Sequence, residues 1–361
     1  MIPRGAASGG AFLEPIAPAA VESALARFLD RPVYLHLETT AGAYTENGFG
    51  AFVRNACIRL RRAAVRGSGT YRAGLETEDG WIYAEGLTAW GLDAQGRILL
   101  AGYDGEGRVT VLCELSATPF PTQGLPARLH PARPSEPVRP GLVPPTAERS
   151  VLFVHAHPDD ETFGCGGTLA LYAYSGVPVS VAIGTRGEMG RNMGKPPFAT
   201  RETLPALREK ELEAACSALG VRDLWLLGVW DKTTEFADPV ALADQIGAII
   251  AEVDPSLIIT SHPEHGRHPD HCAIAAATLA AVARLPRDRR PRVHSLIAGP
   301  AAEQLGLSLQ TVDVRPVLDV KERAFDAHRS QSEAMRKRLT PEEAERRRER
   351  IASERYVVLQ P

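Results

Sequence analysis

The residues best suited to chemistry in this chain lie in a stretch of seven positions that begins at His155. The stretch follows a short apolar run, residues 151–154, which is typical of a buried strand. Pro158 ends the strand, so the polar side chains lie on a turn that precedes a helical stretch. A solvated loop or a simple helix N-cap is the alternative interpretation of such a turn. The groups able to bind metal or transfer protons are His155, His157, Asp159, Asp160 and Glu161.

A second polar turn, residues 262–271, has the same position relative to its neighbours. It follows the apolar run 257–260 and precedes an apolar helical stretch, 273–283. If both strands belong to one sheet, the two turns can meet at its edge. His157 and Asp160, joined by one or two imidazoles of the second turn, then form a three-ligand metal site with an open position. That arrangement is typical of catalytic zinc rather than structural zinc, which has four protein ligands.

The motifs His157-Pro-Asp-Asp160 and His268-Pro-Asp-His271 resemble those of the LmbE-like, or PIG-L-type, zinc-dependent N-acetylglucosaminyl deacetylases. The resemblance covers about residues 149–335 and is closest to the branch that makes bacillithiol. Members of that branch remove acetate from N-acetylglucosaminyl malate. The further matching segments are Gly187-Glu-Met-Gly-Arg-Asn-Met-Gly194, Arg201-Glu-Thr-Leu204, Leu207-Arg-Glu-Lys-Glu-Leu212, Asp231-Lys-Thr233 and Pro263-Glu-His-Gly266.

The resemblance implies hydrolysis of an amide by water, without a protein nucleophile. We expect His157, Asp160 and His271 to hold the metal, which is zinc, with iron(II) as the alternative in the cell. Binding to such an ion lowers the pKa of water toward about 7. A nearby carboxylate must then accept the proton, and Asp159 is the predicted general base.

The second turn supplies the remaining catalytic groups. We expect His268 to stabilise the oxyanion, with proton donation to the leaving amine as an additional role. The carboxylate of Asp270 is expected to hydrogen-bond the His268 ring and keep it cationic. An ordinary N-cap of the following helix is the alternative role for Asp270.

Substrate contacts are carried over from the resemblance. Arginine is the natural bidentate partner of a carboxylate, and malate has two carboxylates. Trp230 replaces the arginine of a common Arg-Asp pair, which changes one wall of the expected pocket. The residues expected at the substrate are Glu188, Arg191 and Asn192, with Arg208 and Asp231 near the sugar hydroxyls.

Strands alternate with helices from residue 149 to residue 361. This alternation predicts an α/β domain with a Rossmann-like, mostly parallel sheet and helices on both faces. The tail, residues 342–356, is expected to be a charged helix that is solvated or contacts another subunit. We expect a homo-oligomer.

Residues 1–120 predict a separate small β-rich domain. Short alternating runs separated by turn signals indicate an antiparallel sheet or barrel. This part resembles the YojF-like family, whose members are encoded beside bacillithiol deacetylases. The match is carried by Arg31-Pro-Val-Tyr-Leu-His-Leu-Glu-Thr39, Tyr71-Arg-Ala-Gly74 and Gly80-Trp-Ile-Tyr-Ala-Glu-Gly86. His36 and Glu38 share a strand face, for which a structural role is favoured over metal binding. Eight prolines in residues 121–148 predict a stiff linker between the domains.

Composition excludes several function classes. The formal net charge of −3 argues against a nucleic-acid surface. No apolar run reaches the roughly 18 residues that span a membrane, and the start lacks a secretory pattern. The five cysteines form no Cys-x-x-Cys pair and suggest a reduced, cytoplasmic protein. The expected partner is a small amino sugar. The alternatives are deacetylation of another acetamido sugar or of bacillithiol S-conjugates, and a metal-binding scaffold without activity.

Overall fold

Two groups of residues form separate compact units in the computed structural model of this chain. The structure describes residues 13–40, 50–122, 124–132, 138–194, 197–297, 299–336 and 340–359. The first unit comprises Met1–Thr122 and Gly190–Leu204, and the second comprises Gln123–Met189 and Pro205–Pro361. We expected residues 190–204 to lie within the second domain, so their membership of the first unit is a difference from the sequence analysis.

The first unit is built on one antiparallel sheet. Its described strands run in the order β1-β6-β7-β8-β2-β3-β4-β5, so that most hairpin partners lie side by side. The antiparallel sheet expected from the alternating runs is therefore confirmed. The strands are β1 (Glu14–Pro15), β2 (Pro32–Thr40), β3 (Gly50–Ser68), β4 (Thr70–Thr77), β5 (Trp81–Leu87), β6 (Ala89–Leu92), β7 (Ile98–Tyr103) and β8 (Val109–Ser116).

The core of the first unit lies between one face of this sheet and the helix α1 (Pro18–Leu25), which a 3₁₀ turn, Ala26–Phe28, extends. Val21 and Leu25 lie on the buried side of the helix because they are one helical turn apart. The sheet curls until β5 approaches β7. A Cβ at Gly102 would lie 2.2 Å from the carbonyl oxygen of Gly86, so this close approach requires glycine.

The second unit alternates strands and helices. Its strands are β9 (Ala127–Leu129), β10 (Val151–His155), β11 (Val179–Ile183), β12 (Asp223–Leu226), β13 (Leu257–Ser261), β14 (Arg292–Leu296), β15 (Gln310–Asp313) and β16 (Ser353–Leu359). Its helices are α2 (Asp160–Phe163), α3 (Gly166–Tyr174), α4 (Leu204–Leu219), α5 (Pro239–Val253), α6 (Pro269–Ala283), α7 (Gly299–Gln304), α8 (Leu318–Ala327), α9 (Arg329–Arg336) and α10 (Pro341–Ile351). Helix α4 begins at the last residue of the segment assigned to the first unit.

The sheet of the second unit is mixed, in the order β15-β16-β14-β13-β10-β11-β12-β9. Strands β10 to β14 are parallel, whereas β9, β15 and β16 pair antiparallel at the edges. Residues of β10 alternate between two cores. Val151 and Phe153 pack with α3, α4 and α8, while Leu152 and Val154 pack with α5 and α6. Helices therefore cover both faces of the sheet, as we expected.

The chain tail differs from the expectation of one charged helix over residues 342–356. Helix α10 ends at Ile351, and β16 then enters the sheet beside β14 and β15. The buried carboxylate of Glu354 accepts hydrogen bonds from the backbone N–H groups of Gly167 and Thr168 at the start of α3. We expected a helix because the tail is highly charged. Its last residues, Ser353–Leu359, instead mix buried and exposed positions in the way that a strand does.

Part of the predicted linker is structured as well. Residues 127–129 form the edge strand β9, which pairs with β12. An edge position suits a proline-rich stretch, since one side of an edge strand needs no ladder partner. Among the described residues, no helix is both long enough and apolar enough to cross a membrane.

Candidate metal centre

The two polar turns follow neighbouring parallel strands. Residues 151–153 of β10 pair with residues 257–259 of β13, and the turns begin where these strands end. From β10 the chain proceeds to β11 and β12 on one side, whereas β13 and β14 lie on the other. Ligands of open α/β sheets bind at such a point, where the direction of strand order reverses.

Three donor atoms at this point match a tetrahedral metal ion. His157 Nδ1 lies 3.0 Å from His271 Nε2 and 3.6 Å from Asp160 Oδ2. The third distance, from His271 Nε2 to Asp160 Oδ2, is 3.3 Å. A zinc ion about 2.0–2.1 Å from each donor would separate the donors by about 3.3 Å. The residues of this structure therefore fit a metal ion, and each of the three retains some solvent exposure.

Hydrogen bonds orient both imidazoles toward this point. His271 Nδ1 lies 2.9 Å from the carbonyl oxygen of Gly266, so Nδ1 carries the proton and Nε2 is left with a lone pair. His157 Nε2 lies 3.2 Å from Asp231 Oδ1 and 3.3 Å from Asp270 Oδ2, which leaves Nδ1 available. Burial lowers the pKa of His157, but Asp231 and the hydrogen-bonded carboxylates outweigh it and hold the pKa well above its usual value.

His155 also reaches the centre. Its Nδ1 lies 2.6 Å from Asp160 Oδ2, and its ring stacks on Phe153. Donor atoms of His155, Asp160 and His271 lie close enough to hold an ion, as do those of His157, His268 and Asp270. The expected ligand set thus draws on both groups. His155 is more deeply buried than His157, which suits a residue that orients the Asp160 carboxylate.

Asp159 has an uncommon backbone conformation, with φ at 104°. It occupies the N-cap position of α2, yet its side chain makes no capping hydrogen bond. The carboxylate instead accepts a hydrogen bond of 3.0 Å from Arg208. Burial raises the pKa of Asp159 to about 6, with Asp160 adding to the shift and Arg208 opposing it. A carboxyl group with a pKa near neutrality suits a general base.

Glu161 and His328 support this conformation, and the sequence analysis did not identify their pairing. Glu161 Oε2 accepts the backbone N–H of Asp159 at 2.9 Å, while Oε1 lies 2.7 Å from His328 Nε2. Both side chains are fully buried. The one sequence signal for His328 is its place in the motif His328-Arg-Ser-Gln331, which does not indicate a partner.

The Asp270 carboxylate does not make the expected hydrogen bond with the His268 ring. Asp270 Oδ2 lies 4.0 Å from His268 Nδ1 and accepts the backbone N–H of Lys232 at 2.7 Å. His268 Nδ1 accepts the backbone N–H of Asp270 at 3.1 Å, so His268 is the N-cap of α6. Burial and then the nearby His157 lower the pKa of His268 to about 4. These surroundings favour a neutral His268 ring, with its proton on Nε2.

Two of the residues expected at the substrate, Arg208 and Asp231, contact groups of the metal centre in the second unit. Arg208 donates to the carbonyl oxygens of Gly187 and Pro158 as well as to Asp159. Asp231 contacts His157, and its Oδ2 accepts the backbone N–H of Met189. The side chains of both Arg208 and Asp231 are therefore engaged in supporting the centre.

Glu188 is buried in the second unit, whereas Arg191 and Asn192 belong to the first. Burial and then Asp231 raise the pKa of Glu188 to about 7. In the first unit, the backbone oxygen of Arg191 accepts the N–H of Val109 at 2.9 Å.

A cavity of about 590 Å³ in the second unit opens beside the metal donors. Asp160 and His271 line one side of it. Its lining also has a cationic character, which suits an anionic ligand. The basic residues in the lining are His155, His265, Arg267, His271, Lys321, Arg350 and Arg355, and its acidic residues are Asp160 and Glu354.

Two families match the chain. Residues 15–120 match the family described as protein of unknown function (DUF1806), and residues 152–282 match the GlcNAc-PI de-N-acetylase (PIG-L) family. The chain is 52% identical over 189 residues to a Bacillus cereus protein named "Probable N-acetyl-alpha-D-glucosaminyl L-malate deacetylase 2", covering 52% of this chain and 86% of that one.

Two further proteins are each similar to part of this chain. The Bacillus subtilis protein YojF is 43% identical over 106 residues, which are 28% of this chain and 91% of YojF. The N,N'-diacetylchitobiose deacetylase of Pyrococcus horikoshii is similar over 60% of this chain and 85% of its own, with 20% identity and a TM-score of 0.46. With its DUF1806 region at the N-terminal side, the chain belongs to the PIG-L family of deacetylases.

Proposed function

We propose that this protein is a metal-dependent hydrolase that removes the N-acetyl group from N-acetylglucosaminyl malate, a step of bacillithiol biosynthesis. The observation that carries the proposal is the set of three donor atoms 3.0–3.6 Å apart, next to Asp159 with its positive φ and its hydrogen bond from Arg208. The name of the 52% identical relative supports the choice of substrate.

The proposed ligands are His157 through Nδ1, Asp160, and His271 through Nε2. Two nitrogens and one carboxylate suit zinc, and iron(II) is the alternative. When bound, such an ion supplies a Lewis acid and lowers the pKa of water. The parallel strands run in the order β14-β13-β10-β11-β12, which supports a Rossmann-like assignment of the domain.

Asp159 is the proposed general base. It accepts a proton from the water that attacks the acetamide carbon, and it returns this proton to the nitrogen as the C–N bond breaks. The products are acetate and the free amino sugar. Arg208 holds the carboxylate through a 3.0 Å hydrogen bond, and Glu161 holds the backbone N–H of the same residue.

His268 is proposed to stabilise the oxyanion as a neutral hydrogen-bond donor. Its Nδ1 accepts a backbone hydrogen bond, so its proton is on Nε2 and can be donated to the developing negative charge. Asp270 acts through His157 rather than through His268, because its carboxylate lies 3.3 Å from His157 Nε2. We therefore propose that the His268 ring is neutral, instead of the cationic ring expected from the sequence.

The substrate contacts remain proposals. Glu188, Arg191, Asn192, Arg208 and Asp231 are carried over from the family resemblance. The cationic lining of the cavity offers Arg267 as a second candidate for the malate carboxylates. Comparing Arg191→Ala with Arg267→Ala distinguishes the two, because loss of the malate contact raises KM for the malate-linked substrate much more than for N-acetylglucosamine.

The substrate is tested by comparing turnover of malate-linked, inositol-linked and free N-acetylglucosamine by the metal-loaded protein. We expect the malate-linked sugar to have the highest kcat/KM. Equally low turnover of all three would contradict the malate assignment. Bound metal without hydrolysis of any acetamido sugar would favour a scaffold. A cytoplasmic location and a homo-oligomer remain predictions.

A further inference from the structure

One face of the first unit's sheet has ionisable side chains that are buried. His36, Glu38 and Glu114 lie on the face opposite the hydrophobic core, in alternation with core residues, and at most 1% of each is exposed. His36 is paired in register with Glu114 of the neighbouring strand. Burying charged groups is costly unless a partner of opposite charge contacts them.

The partner of Glu38 comes from the segment 190–204. Arg201 Nη2 donates to Glu38 Oε1 at 2.8 Å, and Arg201 Nε donates to Oε2 at 3.1 Å. Both side chains are buried, with 0% and 1% exposure. His36 Nε2 lies 2.9 Å from Glu38 Oε2 and orients the carboxylate. The pair therefore has the bidentate geometry that makes an Arg–carboxylate contact specific.

Arg201 also links the two ends of the segment, because its Nη1 donates to the carbonyl oxygen of Gly190 at 2.8 Å. The Glu38 contact thus fixes more than the position of one side chain. It fixes the separation between the beginning of the segment and its end.

Further contacts fasten both ends to the sheet. Val109 donates its N–H to the Arg191 carbonyl oxygen at 2.9 Å, and Arg191 Nε donates to the Val109 carbonyl oxygen at 3.2 Å. At the other end, Glu202 accepts hydrogen bonds from Arg54 at 2.8 Å and from Arg97 at 3.2 Å. The described parts of the segment, residues 190–194 and 197–204, are therefore held by strands of the first unit and by the turn that precedes β7.

We propose that the first unit serves to position segment 190–204 of the hydrolase sequence, and that Glu38 is the positioning residue, acting through Arg201. The segment carries Arg191 and Asn192, which the family resemblance assigns to substrate binding, so we expect its order to affect the KM for the malate-linked sugar. This inference rests on the proposed function. It gives the DUF1806 region a binding role toward a segment of the deacetylase sequence, without chemistry of its own.

The test uses the full-length, metal-loaded chain with Glu38→Gln and Glu38→Ala. The matched control is Glu78→Gln, which removes an exposed carboxylate paired with Arg61 on the same sheet. Trypsin cleavage after Arg191 is followed by mass spectrometry, together with KM, kcat, metal content and Tm. The Gln variant keeps the size of the side chain, so it remains informative if the Ala variant does not fold.

We expect cleavage after Arg191 to become about tenfold faster in both Glu38 variants, as buried segments open when their contacts are lost. We expect KM for the malate-linked sugar to rise about tenfold with kcat and metal content nearly unchanged, the pattern of lost binding rather than lost chemistry. The control should match the wild type in every measurement.

Cleavage after Arg191 and KM both equal to wild type in Glu38→Gln would overturn the inference. So would a fall in kcat and metal content without a change in KM, because that pattern indicates general destabilisation. Failure of the wild-type protein to hydrolyse the malate-linked sugar would refute the proposed function. The rate of cleavage after Arg191 does not depend on that activity, so the two failures are distinguishable.

Discussion

His328 Nε2 lies 2.7 Å from Glu161 Oε1, and neither side chain has exposed surface. The other oxygen of Glu161 accepts the backbone N–H of Asp159, so the pair supports the positive φ of that residue. In His328→Ala, a buried carboxylate is left without this partner. We expect a loss of about 3–5 kcal/mol in the free energy of unfolding. Denaturant unfolding measures it, and a loss below about 1 kcal/mol would show that water replaces the imidazole.

Asp159→Asn tests the general base. Asparagine tolerates a positive φ and can keep the hydrogen bond from Arg208 by its amide oxygen, so the fold should persist. We expect retained metal and a kcat lower by about two to four orders of magnitude. The measurements are metal analysis and steady-state kinetics. Loss of metal together with activity would mean that Asp159, rather than Asp160, is the carboxylate ligand.

His155 and His157 belong to different groups of possible metal ligands. His155 is grouped with Asp160 and His271, whereas His157 is grouped with His268 and Asp270. We expect His157→Gln and His271→Ala to abolish tight metal binding, because each removes a donor of the proposed set. His155→Gln should retain the metal with affinity lower by about 10–100-fold, as for a residue that orients a ligand. Titration with zinc under competition by a chelator measures the three affinities. A larger loss of zinc affinity in His155→Gln than in His157→Gln would indicate that His155, rather than His157, binds the ion with Asp160 and His271.

Glu354 joins the tail strand to the start of helix α3. Its carboxylate accepts two backbone N–H groups of that helix and lies 2.6 Å from the buried Lys321 Nζ. We expect Glu354→Ala to lower the free energy of unfolding by about 3–5 kcal/mol, because the lysine charge loses its partner. Thermal or denaturant unfolding measures this. A loss equal to that of a change at an exposed glutamate, such as Glu345→Ala, would contradict the structural role.

Glu114 predicts an unusual dependence of stability on pH. Burial, with a further contribution from Glu202, raises the pKa of Glu114 from 4.5 to about 8. The folded state thus prefers the protonated form, and this preference stabilises the protein below about pH 4.5 and is lost as the pH rises through about 8.

Glu114→Gln removes that ionisation. We expect little change in Tm at about pH 5, and a gain on the order of 1–3 kcal/mol at about pH 9 relative to the wild type. Thermal unfolding at both pH values measures the difference. A variant that is equally destabilised at both would show that the carboxyl group makes a hydrogen bond essential to the fold.

Much of the second unit follows from local sequence. Continuous apolar runs such as residues 151–154 and 257–260 specify buried parallel strands, and β10 and β13 each extend only one residue beyond these runs. The types of the candidate ligands and their place after two strands were likewise visible in the sequence. These features depend on residues that are close together in the sequence, so the types and spacing of those residues are enough to predict them.

Tertiary structure decided which distant groups are partners. The Asp270 carboxylate lies within hydrogen-bond distance of the His157 ring rather than of the ring of its near neighbour His268, and His328 contacts Glu161. Hydrogen bonds depend on distances and directions between side chains that sequence separation does not encode. The membership of segment 190–204 in the first unit has the same origin. Glu38 and Arg201 stand in separate motifs of the sequence, which do not indicate that the two are partners. Only folding brings the two charges into a site where neither can remain buried without the other.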